Sequence, residues 1–196
     1  MPRLHWEDFS PGQVTECGSR LITRAEIIAF AGPRSMKALG TYNFAGDIGR
    51  HTFTAEEIKA FAARFDPQPF HLDEAAGARS QFGALCASGW HTACVWMRLM
   101  IKYRRREDEE RRARGEAVGQ LGPSPGFRDL KWLKPVCAGD TIAYATEVVE
   151  ARPLNSRPGW GIIVVRNVGV NQRGEPVNSF MSSAFVERRS REPQAS

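Results

Sequence analysis

Cysteine is scarce in this chain of 196 residues. It occurs at positions 17, 86, 94 and 137 only, with no Cys-x-x-Cys pair and no histidine at metal-ligand spacing. That excludes a zinc ribbon or a thioredoxin-like motif and leaves free thiols in a reducing compartment as the expectation. No apolar run approaches the roughly 20 residues that a membrane-spanning helix needs. No N-terminal stretch combines the basic start and apolar core of a secretory signal. A soluble, cytoplasmic protein without a membrane partner is therefore expected. Charge of one sign is not concentrated either. The formal net charge is only +5, and the Arg-rich run Arg104–Arg114 is interleaved with Glu107, Asp108, Glu109 and Glu110. Such a run reads as a solvated helix end or loop, not as the basic face of a nucleic-acid binder. What is present is enough apolar residue, 42% with 10% aromatic, to build the core of one domain.

Against that background one stretch carries chemistry: Phe65-Asp66-Pro67-Gln68-Pro69-Phe70-His71-Leu72-Asp73. It follows a helix-like run, and neither proline can continue a helix, so the helix is predicted to stop near Phe65. The stiff loop beyond it holds Asp66 and His71 five residues apart. A carboxylate and an imidazole form a workable acid/base pair near neutral pH. Taken alone, an Asp before Pro is more often a turn former or helix stop, and a lone loop His is more often structural. Asp73 reads as a loop or cap residue. Further on, Phe82-Gly83-Ala84-Leu85-Cys86-Ala87-Ser88-Gly89-Trp90-His91 reads as a small-residue turn opening a long apolar helix. The small Ser88 and Gly89 let a ligand approach the backbone. The helix N-terminus offers unpaired N–H groups and the positive end of a dipole. His91, one turn in, reads as core or substrate-adjacent.

The chain contains a partial repeat. Thr23–Ala31 (TRAEIIAFA) and Thr54–Ala62 (TAEEIKAFA) are identical at six of nine positions, 31 residues apart. Each copy reads as a Thr N-cap, an acid near the third helical position and a short amphipathic helix. Only the second runs on into an acid and a histidine, so the first is expected to be structural. A long helix is predicted over Gly83–Tyr103, with Trp90, Trp96 and Met97 as core. Strands are predicted at Phe127–Leu133, Thr141–Val149, Gly161–Asn171 and Pro176–Arg188. A loop is expected at Arg152–Trp160 and a hairpin turn at Gln172–Glu175. The boundaries divide the chain into an N-terminal extension (1–43), a main domain (44–189) and a frayed tail (190–196). Antiparallel strands beside one long helix give an α+β class.

This order of elements resembles the MaoC-like dehydratases, the (R)-specific enoyl-CoA hydratase branch of the hotdog fold, over about Phe44 to Arg188. The strongest part is Phe61–Thr92, with the Asp66-Pro67-x-Pro69-x-His71 loop, Phe82-Gly83 and Ala87-Ser88-Gly89. Members commonly read Asp-x-Asn-Pro-x-His; here Gln68-Pro69 replaces Asn-Pro and the acid–His spacing is kept. Ala-Ser-Gly replaces the frequent Ala-His-Gly, as in a subset with Ser-Gly-Trp-His. The resemblance implies an antiparallel sheet wrapped around one central helix, and reversible addition of water to a trans-2-enoyl-CoA to give the (3R)-3-hydroxyacyl product. It implies Asp66 and His71 as the pair that activates water and shuttles the α-proton, with Ser88 and Gly89 at the substrate carbonyl. Coenzyme A enters as part of the substrate, with no metal or other cofactor, and Arg157 or Lys134 is a possible contact for it. A homodimer or higher homo-oligomer is implied, with the N-terminal copy covering a sheet edge or adding a strand to the second subunit.

Two rival functions stay open on the sequence. A hotdog acyl-CoA thioesterase shares fold and ligand, but those enzymes usually carry their acid on or near the central helix, and no Asp or Glu occurs between Phe82 and Arg106. A non-catalytic acyl-CoA-binding protein is the other.

Overall fold

The computed structural model describes residues 46–188. The N-terminal extension with its copy of the repeat, Cys17, and the tail from residue 190 lie outside the described residues. The chain enters as strand β1 (Gly46–Thr52). Three helices follow, α1 (Ala55–Phe65), α2 (Pro69–Leu72) and α3 (Glu74–Ala78). The long α4 (Gly89–Ala113) precedes strands β2 (Gly126–Trp132), β3 (Thr141–Leu154), β4 (Arg157–Val170) and β5 (Pro176–Glu187). The strands form one antiparallel sheet in the order β1-β3-β4-β5-β2. This is the α+β hotdog arrangement, a sheet curled on one long helix.

Helix α1 begins and ends where its sequence says. Thr54 caps it, accepting a hydrogen bond from the Glu57 N–H (3.3 Å), and Pro67 forbids its continuation beyond Asp66. Asp73 is a cap, accepting from the Ala76 N–H at the start of α3 (2.7 Å). Helix α4 departs from expectation at both ends. It starts six residues late, because Cys86 pairs with Cys137 in an isolated antiparallel bridge that keeps the approach to Ser88 extended. It also runs ten residues past Tyr103, through the charged segment. Arg104 and Asp108, one turn apart, are 6% and 1% exposed, so that segment is not solvated all round. At 1.5 Å per residue its 25 residues span about 37 Å.

One face of α4 carries Val95, Trp96 and Met100 into the core with Phe53, Ile58, Ile142, Tyr144 and Phe180. Trp96 meets Phe180 edge-on at 4.7 Å. Trp90 and Met97, seven residues apart, lie on the other face and are 48% and 49% exposed, not core. The loop expected at Arg152–Trp160 is instead the end of a long hairpin that turns at Asn155-Ser156, with Leu154 opposite Arg157. Pro153 is tolerated there because β1 pairs only with residues 141–146 of β3, and a proline needs no donor on an unpartnered side. Among the described residues no helix is long and apolar enough to cross a membrane.

Candidate active site

The proline breaks bring the acid and the imidazole together, though not on one loop. Asp66 is the C-cap of α1, its N–H donating to the Ala62 carbonyl (3.0 Å). Pro69 starts α2, as a proline at a first helical position can, and His71 lies on that short helix, not in a loop. The His71 N–H donates to Gln68 O (2.9 Å) and the Gln68 N–H to Asp66 O (2.7 Å), closing the connection between the two side chains.

His71 is buried. Its Nδ1–H donates to the Cys86 carbonyl at 2.6 Å, which leaves Nε2 as the acceptor nitrogen of the neutral ring. Nε2 lies 3.5 Å from Asp66 Oδ2. The same carboxylate oxygen accepts the Ser88 hydroxyl at 2.6 Å. Ser88, only 1% exposed, is the N-cap of α4, yet its side chain makes no capping bond because it is turned to Asp66. The first N–H groups of α4 are thus left without a side-chain cap from Ser88. Asp66, His71 and Ser88 are thereby brought together, and Gly89 follows as the first residue of α4.

The start of α4 is tied to the sheet by residues the sequence reading did not single out. Asn178 Nδ2 donates to Thr92 Oγ1 (3.1 Å), Thr92 Oγ1 donates to Gly89 O (2.7 Å), and the Tyr144 hydroxyl donates to Thr92 O (3.0 Å). Tyr144 and Asn178 stand at inward positions of β3 and β5, and polar residues at inward strand positions were the available signal. Trp132 was also missed. Its indole covers Gly89 so closely that a Cβ there would lie 2.2 Å from Trp132 Cε2. That contact joins residues 43 apart and has no local signature.

His91 is core. It stacks on Phe61 (centroids 4.5 Å, planes 5° apart) and meets Phe53 edge-on at 5.1 Å. Burial pulls its pKa down to about 4, with Glu57 opposing the shift, and Nδ1 has no hydrogen-bond partner among the described residues. The two residues considered for coenzyme A are not brought together. Lys134 pairs with Glu175 (2.5 Å) beside the start of β5. Arg157 sits at the hairpin tip, ten residues along β3 from Tyr144 by way of Leu154, roughly 33 Å at the usual strand rise. Among the described residues no group of three or more His, Cys, Asp or Glu side chains is placed to hold a metal.

Comparison with known proteins converges on one family. A family model described as MaoC like domain matches residues 47–159. A mesaconyl-CoA hydratase from Cereibacter sphaeroides is 38% identical over 73 residues, 37% of this chain but only 20% of that protein. The chain thus spans a fifth of that relative. The crystal structure of a MaoC-like dehydratase from Rhodospirillum rubrum is 37% identical, with a TM-score of 0.61 over 78% of this chain and 94% of the other. An unliganded (R)-hydratase from Pseudomonas aeruginosa shares the fold at 19% identity, with a TM-score of 0.51 over 82% of this chain and 92% of the other.

Proposed function

The chain belongs to the MaoC-like dehydratase domain family, and on that premise we propose that it is a hydro-lyase that reversibly adds water to a trans-2-enoyl-CoA, giving the (3R)-3-hydroxyacyl-CoA. The observation that carries the reading is the shared carboxylate oxygen: Asp66 Oδ2 holds the Ser88 hydroxyl at 2.6 Å and faces His71 Nε2 at 3.5 Å, at the open end of α4.

Two acceptors 3.5 Å apart suit one water that donates a proton to each. Ser88 holds the carboxylate still, and the Cys86 carbonyl holds the imidazole in the tautomer whose Nε2 accepts. One water proton passes to this pair as the oxygen bonds to C3. The C2–C3 π electrons move toward the carbonyl, so negative charge grows on the thioester oxygen. The Gly89 N–H and the positive end of α4 stabilise that charge. A proton returned to C2 completes the addition and restores both side chains. The chemistry is acid/base throughout and calls for no resident metal or cofactor. Lys134, two residues beyond the Trp132 whose indole covers Gly89, is the nearer candidate along the chain for the coenzyme A phosphates. A second copy of the chain is proposed to cover the exposed apolar residues around the start of α4.

Purified protein supplied with crotonyl-CoA should lose enoyl absorbance without releasing free thiol. Asp66→Asn and His71→Ala should each lower turnover by about a hundredfold or more, and Ser88→Ala by roughly tenfold, the order of one lost hydrogen bond to a charged group. Thiol release in place of hydration would make the protein a thioesterase. Full activity in both Asp66→Asn and His71→Ala would displace the site.

A further inference from the structure

We propose that Cys86 and Cys137 form a reversible disulfide by exchange with a low-molecular-weight disulfide, and that the bond disturbs the adjoining Asp66–His71–Ser88 arrangement. Their sulfurs are 3.4 Å apart, and the residues are direct partners in the antiparallel bridge that delivers the chain to Ser88. The Ala87 N–H donates to Val136 O (2.7 Å) and the Ala138 N–H to Leu85 O (3.0 Å). Those bonds flank the cysteine pair and do not join its members, which makes it a non-hydrogen-bonded pair with Cα atoms about 4.5 Å apart. That separation lies at the short end of the range disulfides span, roughly 4.4–6.8 Å. A bond there can therefore form without unfolding the bridge.

The two thiols differ in reach. Cys86 is 1% exposed while Cys137 is partly exposed, and burial pushes the Cys86 thiol up to about 12. Cys137 is therefore the entry point. Its thiolate attacks one sulfur of the small disulfide, forming a mixed disulfide and expelling one small thiolate. The Cys86 sulfur, on losing its proton, then attacks the Cys137 sulfur and expels the second. Both cysteines are oxidised by one electron each, the small disulfide is reduced to two thiols, and those thiols take up the two protons. Attack by the buried Cys86 is the slow step, because so little of it is thiolate.

The consequence at the site is mechanical. The Cys86 N–H donates to Phe70 O (3.3 Å) and its carbonyl accepts from His71 Nδ1 (2.6 Å). Two residues on, Ser88 holds Asp66. The sulfurs must close from 3.4 Å to about 2.05 Å. The peptide that moves with Cys86 is the one that orients the imidazole. The effect on turnover rests on the hydratase reading; the bond itself does not.

The test is incubation of the full chain with oxidised glutathione, followed by intact-mass and peptide mapping. The expected product lacks two hydrogens and yields a linked peptide pair containing Cys86 and Cys137. Cys86→Ala should instead retain one glutathione on Cys137, because the second attack is missing. Native protein in which both cysteines stay free to alkylation once denatured, or in which only Cys17 or Cys94 reacts, overturns the bond. Coupling to the site is read in two ways, a shift of the His71 ring resonances on oxidation and a fall in hydration rate of at least fivefold. Both should reverse with dithiothreitol and be absent in Cys137→Ala. A linked pair with unmoved His71 resonances overturns the coupling even if no hydration is ever detected.

Discussion

Ser88 stands where a helix ordinarily takes a capping bond from its N-cap side chain, a contribution of about 1 kcal/mol. Here the hydroxyl is turned away to Asp66, so local helix stability yields to the orientation of one carboxylate. His91, three residues on, shows the opposite allocation, a titratable ring used as packing. Its pKa falls from the ordinary 6.5 to about 4 because burial between Phe53 and Phe61 disfavours the cation. Between those values the unfolded chain binds a proton that the folded one refuses. Stability attributable to His91 is therefore whole above pH 6.5 and drains away as pH falls toward 4, by on the order of 2–3 kcal/mol. His91→Phe should flatten that loss, seen as a smaller drop in urea midpoint between pH 7 and pH 4.5. An unchanged drop would mean that other groups carry the acid sensitivity.

At the scale of the element, the start of α4 is decided by what lies over it. Alanine is favoured over glycine inside helices by up to about 1 kcal/mol, so Gly89→Ala in isolation should stabilise. The Trp132 ring opposes it, since a Cβ at 89 would fall 2.2 Å from the indole, and overpacking of that kind costs about 1–3 kcal/mol. The clash wins. Gly89→Ala should lower the unfolding free energy of the native chain and raise that of a Trp132→Ala chain, a reversal of sign in a double-mutant cycle. Equal effects in the two backgrounds would show that the indole does not hold Gly89 in solution. The apolar stripe that located α4 placed its inner face well at Val95, Trp96 and Met100. It misjudged Trp90 and Met97, because spacing alone says that a helix has an apolar face and not how many partners divide it.

At the scale of the molecule, Trp90 joins a larger exposed surface. Trp90 meets Trp132 (5.4 Å) and Phe127 (6.3 Å) edge-on, and Phe127, Trp132 and Leu133 are 58%, 49% and 47% exposed. A contiguous aromatic patch of this kind marks an interaction face. If the proposed second copy covers it, sedimentation equilibrium should return twice the chain mass, and Phe127→Asp should shift the population toward monomer. A single-chain mass at every concentration, with the native patch intact, would leave the patch to some other partner.

The breaks at Pro67 and Pro69, the five-residue spacing of Asp66 and His71, the small residues before α4 and the alternating strands are local properties of the chain, and they determined the class of fold and the two halves of the proposed site. Local sterics and periodicity suffice for that much. The remainder depended on contacts across the sequence. That Ser88 serves the carboxylate and not its own helix, that the Cys86 carbonyl sets the tautomer of His71, that Trp132 seals Gly89, and that Arg157 stands at the far end of a hairpin from the site all follow from which surfaces the sheet brings against α4. Side chains tens of residues apart acquire a distance only when the chain has packed, and it is packing that sets Ser88 Oγ 2.6 Å from the Asp66 carboxylate and the Cys86 carbonyl 2.6 Å from His71 Nδ1.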